Sequence, residues 1–143
     1  METYEVMKQR HQKEVNDFPL GAAFSDKQFE EMMKNWGLTV NDCDKIYRIG
    51  SGMFVRKSDH KAMHEMFDRH EKELQDAIKA DKTGDEFIYG MFYYELCNHE
   101  YCVTGDLSET LDVLGLTVDE VNDNPAMLNA LHKAAKAAGS IEW

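Results

Sequence analysis

One segment restricts the fold of this chain more than any other. From Phe87 to Cys97 the sequence reads FIYGMFYYELC, with Glu95 as its one acidic or basic residue. The run is about half the length a helix needs to span a bilayer, and it carries a carboxylate. It is therefore read as a core element. A helix that is apolar nearly all round is packed on most sides by its neighbours. The expected architecture is mainly α: a single domain over residues 1–143, with five to six helices around a central apolar helix at about 86–99.

The rest of the chain supplies those neighbours. Tyr4, Met7, His11 and Val15 lie on one side of a first helix over residues 2–16, before Pro19 and Gly21. Ser25 caps a second helix with Phe29, Met32, Met33 and Trp36 at helical spacing, closed by Gly37. Residues 20–24 are short and apolar and fit either a strand or a turn. A small β-hairpin near 45–56 is expected, because Ile46, Ile49, Phe54 and Val55 flank Gly50-Ser51-Gly52. Ser58 and Asp59 open a long helix to Ala80 whose apolar side is Met63, Met66, Phe67, His70, Leu74, Ala77 and Ile78. Thr83-Gly84 and Thr104-Gly105-Asp106 are turns. Leu107–Leu114 is a short helix ended by Gly115. Thr117 to Glu120 is a capping box, and Asn124-Pro125 opens a last helix to Ala138.

Charge is distributed unevenly. The chain carries a net −11. Residues 1–58 are neutral, with nine basic and nine acidic residues, whereas Thr83 to His132 holds ten carboxylates and no Lys or Arg. Binding to DNA, RNA or anionic lipid relies on Lys and Arg displacing counterions from phosphates, so this stretch argues against such ligands. A protein partner with a basic surface suits it better. Residues 1–15 lack the apolar run of a signal peptide, and three cysteines (Cys43, Cys97, Cys102) suit free thiols in a reducing compartment. The expected location is the cytoplasm of a bacterial host.

Three stretches carry a resemblance: AFSDKQFEEMM (23–33), IGSGMFVRKSDHKAMHEMFDRHEKEL (49–74) and FIYGMFYYELCNHEYCVTGDLSETLDVLGLT (87–117). Together they resemble an uncharacterised family of small acidic proteins associated with phages and mobile elements of gut Firmicutes, over roughly residues 17–122. The resemblance implies a genetic setting and carries over no catalytic residue. In such a setting, short acidic proteins that block the nucleic-acid-binding surfaces of host defence proteins are expected by analogy.

Two groups of residues invite metal chemistry. Glu95, His99 and Cys102 share one helix face at i, i+4 and i+7, and imidazole, thiolate and carboxylate are zinc ligands. The paired C-x-x-C spacing of a strong zinc signature is absent. Glu95 and His99 also form a pair that could do acid–base work or simply fix helix packing. His60, His64 and Asp68 follow at i, i+4 and i+8, and two imidazoles one turn apart can chelate one ion. No serine stands in a nucleophile-elbow context.

The reading favoured by these features is a non-enzymatic interaction module of a phage or mobile element. It would inhibit a host nucleic-acid-binding effector of the kind met by anti-CRISPR or anti-restriction proteins, and needs no cofactor. Its partner-binding residues are Asp85, Glu86, Glu100, Asp106, Glu109, Asp112, Asp119, Glu120 and Asp123. The alternatives are a zinc-binding domain or enzyme built on Glu95, His99 and Cys102, perhaps with His60 and His64, and a structural or regulatory subunit with a homo-oligomeric interface.

Overall fold

The computed structural model describes residues 2–99 and 107–139. Among them are seven α-helices and a three-stranded antiparallel sheet, so the chain is mainly helical. It divides into two compact units: Met1–Arg10 with Glu73–Trp143, and His11–Lys72. The dividing points fall within helix α1 (Tyr4–Asp17) and helix α3 (Lys57–Ala80). Each unit has its own apolar core.

The larger unit is built on α4 (Phe87–Asn98), α5 (Ser108–Leu114), α6 (Val118–Asn122) and α7 (Pro125–Ala138), with Tyr4 and Met7 of α1 and Ile78 of α3 in the same core. In α4, residues 87, 88, 91, 92, 95 and 96 are buried as one continuous stripe. The helix packs most extensively on α7. Ala130, Ala134 and Ala138 repeat every turn of α7 at 0–2% exposure, and their small side chains let the two backbones approach. The reading of 86–99 as a helix packed nearly all round needs correcting. Tyr93 is 40% exposed and Cys97 is exposed, so α4 keeps an open face despite its composition.

Local chemistry accounts for the ends of these helices. Before α4 the carboxylate of Asp81 accepts backbone N–H bonds from Gly84 (3.0 Å), Glu86 (3.1 Å) and Ile88 (3.0 Å), which satisfies donors that a helix start leaves unpaired. Gly84 is obligatory in this turn: its φ is +84°, and a Cβ there would sit 2.0 Å from the carbonyl oxygen of Ala126. Thr117 caps α6 by accepting from the Glu120 N–H, and Asn124 caps α7 by accepting from Ala126 and Met127. The turn expected at Thr104–Asp106 lies outside the described residues.

In the smaller unit β1 (Leu20–Ala22), β2 (Ile46–Gly50) and β3 (Met53–Arg56) form the sheet in the order β1-β3-β2. Leu20 pairs with Val55 and Ile46 with Arg56. The expected hairpin near 45–56 is therefore two strands of three, and segment 20–24 supplies the third. Helix α2 (Asp26–Asn35) starts at Ser25, whose hydroxyl accepts from the Gln28 N–H at 3.2 Å. It brings Met32 and Met33 into a core with Ala23 and Ile46, edged by Phe29, Trp36, Leu38 and Phe54. Phe67, expected on the apolar side of α3, is 41% exposed.

Candidate functional site

The buried stripe of α4 carries Glu95 into the core of the larger unit at 0% exposure. A carboxylate so placed needs charged or polar donors to replace its lost water. The hydroxyl of Tyr4 donates to Oε1 at 2.8 Å, and Lys8 Nζ donates to the same oxygen at 2.5 Å. Tyr4 and Lys8 are four residues apart on α1, so one helix face supplies both donors. The Lys8 ammonium also lies over the rings of Tyr94 (5.3 Å) and Tyr4 (5.8 Å). Thr110 of α5, itself buried, donates its hydroxyl to the backbone carbonyl of Glu95 at 3.4 Å. Burial, and then the hydrogen bond to Glu95, push the Tyr4 hydroxyl far above its ordinary pKa, so it stays a donor.

The expected Glu95–His99 pair is present. His99 Nε2 lies 3.3 Å from Glu95 Oε2, an ion-pair distance without hydrogen-bond alignment. Its Nδ1 lies 3.4 Å from Glu109 on α5. The line Lys8–Glu95–His99–Glu109 thus joins a buried carboxylate to an exposed one. Glu95 Oε1 is committed to an ammonium and a phenol, which fits a packing device better than a cation ligand. Among the described residues no three metal-ligating side chains converge, and Cys102 lies outside them. The sequence places Tyr4 on one side of α1 but links neither Tyr4 nor Lys8 to Glu95, from which they stand 91 and 87 positions away. The available signal was a lone acid in an apolar helix, which demands a donor from elsewhere.

His60 and His64 sit in the other unit, on α3. Their Nε2 atoms are 3.0 Å apart, and the His60 ring lies 4.5 Å from that of Tyr47 on β2.

The acidic residues form a different kind of surface. Asp85, Glu86, Glu109, Asp112, Asp119, Glu120 and Asp123 are all exposed, whereas Glu100 and Asp106 lie outside the described residues. Lys133, just past the Lys/Arg-free block, reaches back to Asp85 at 2.6 Å, and Asn129 donates to it at 3.0 Å. These contacts hold the Asp85 carboxyl below the usual carboxylate range. Glu120 accepts the Thr117 hydroxyl at 3.1 Å. For Glu86, Asp112, Asp119 and Asp123 there is no ion pair among the described residues. Two exposed apolar side chains adjoin them in sequence: Val113 (52% exposed) beside Asp112, and Val118 (61%) beside Asp119.

Glu86 also edges a cleft of about 260 Å³ lined by Glu2, Thr3, Tyr4, Phe87 and Gly90. Nothing lies within 4 Å of where a Gly90 side chain would begin, so the glycine leaves the recess open.

No helix among the described residues is long and apolar enough to cross a membrane. No curated protein and no solved structure matches the chain. Over residues 3–137 it matches a family of unknown function, and the chain belongs to that family, DUF7659.

Proposed function

We propose that the chain is a non-enzymatic interaction module whose larger unit presents an acidic face to a basic surface of a partner protein. The observation that carries this reading is the state of the carboxylates on α4 to α7. Every described one except Glu95 is exposed, and Glu86, Asp112, Asp119 and Asp123 have no cation beside them among the described residues. Charge of one sign steers encounter, while affinity needs apolar anchors. Val113, Val118 and the cleft beside Glu86 supply apolar area next to that charge.

A basic surface large enough to match these acids is typical of nucleic-acid-binding proteins. In the phage or mobile-element setting that the sequence resemblance implies, the partner would be a host defence effector in the bacterial cytoplasm. The module would then act by occupying its nucleic-acid site, as anti-CRISPR or anti-restriction inhibitors do.

The test is a pull-down from a Firmicutes lysate with the wild-type chain and an Asp112→Lys/Asp119→Lys/Asp123→Lys variant, with circular dichroism confirming that the variant folds. The expected result is a nucleic-acid-binding protein retained by the wild type at low salt, displaced by added DNA, and lost from the variant. Equal retention by the folded variant would overturn the proposal.

A further inference from the structure

The His60–His64 pair is independent of the acidic face and lies in the smaller unit. The two imidazoles are one turn apart on α3, their rings are nearly perpendicular (87°), and their Nε2 atoms converge to 3.0 Å. Two nitrogens bound to one ion at about 2.0–2.1 Å stand about 2.9 Å apart at a right angle and about 3.4 Å apart at a tetrahedral angle. The observed separation falls inside that range, so the spacing of the two nitrogens suits a single ion. His60 is partly accessible and His64 is exposed. The His60 ring also lies against the Tyr47 ring, with centroids 4.5 Å apart.

We propose that His60 and His64 form a two-nitrogen chelate for a borderline transition-metal dication, preferring Cu(II) over Ni(II) and Zn(II). The preference follows from the general order of affinities for imidazole donors. With no third protein ligand among the described residues, water fills the remaining positions. The site is therefore open, and a metal held there would be available to donor atoms from a bound partner.

Without metal, one Nε2 must carry a proton and donate to the other. With metal, both are deprotonated and the protons sit on Nδ1. The experiment is a Cu(II) titration of the full chain followed by calorimetry and electron paramagnetic resonance, beside His60→Ala, His64→Ala and the double variant. The expected result is one tight Cu(II) equivalent with coupling to two nitrogens in the wild type. Either single variant should bind about a hundredfold more weakly, because a chelate becomes a single contact. His60→Gln, which keeps a polar side chain at the position, should lose the site just as fully. Wild-type affinity and two-nitrogen coupling surviving in the folded double variant would overturn the proposal, since the ion would then sit on other histidines.

Discussion

Each unit of this protein pairs a glutamate with a base, and the two pairs do opposite things. In the larger unit Glu95 is wholly buried and shares Tyr4, Lys8 and His99 between α1 and α4. In the smaller unit Glu14 is partly exposed and takes a two-pronged hydrogen bond from the Arg69 guanidinium. That contact holds the Glu14 carboxyl at about 2. Water can replace Arg69, but nothing in an apolar core replaces Lys8 and Tyr4. Burial thus makes the first carboxylate a determinant of the fold and leaves the second a pH-dependent surface contact.

The largest expected effect tests the buried member. Glu95→Ala strands the Tyr4 hydroxyl and the Lys8 ammonium and opens a void, at a cost of about 3–5 kcal/mol in urea unfolding. Glu14→Ala should lower the urea midpoint much less, because solvent screens and replaces its partner. Equal losses at the two positions would erase the distinction between them.

Tyr4→Phe comes next, removing one hydrogen bond to a charged acceptor at a cost of about 1.5–3 kcal/mol. It should also change the alkaline limb. The folded pKa of Tyr4 is raised, so its contribution is complete below about pH 10 and is lost at higher pH, where the unfolded tyrosine ionises first. Stability of the wild type should therefore fall more steeply above pH 10 than that of Tyr4→Phe. Parallel curves would show that Tyr4 is not protected by burial and Glu95.

Arg69→Ala has the smallest expected effect on stability and the clearest on titration. The Glu14 carboxyl should rise from about 2 toward 4.5 when followed by NMR. Because the folded pKa is depressed, the stability it contributes is present above the unfolded value and disappears as the pH falls toward 2. The variant should lack that part of the acid limb. An unmoved Glu14 titration would remove Arg69 as its cause.

What could be read from the chain was local. Ser25, Thr117, Asn124 and Gly115 sit where their side chains or conformations make them caps, because a cap depends on residues within one turn. The hairpin around Gly50-Ser51-Gly52 was legible for the same reason. Segment 20–24 was not, since a strand of three residues is decided by its pairing with β3 and not by its composition. The acidic block was visible as a run without Lys or Arg, but its link to Lys133 was not.

The sequence by itself determined the helical character, the places where helices begin and end, and the excess of acid in residues 83–132, because periodicity, capping and charge are properties of short stretches. Only the tertiary structure decided which side of α4 stays open and that Glu95 finds its donors on α1. Those outcomes depend on which groups distant in the chain are brought within a few ångströms, and neither hydrophobic spacing nor propensity encodes that contact one residue at a time.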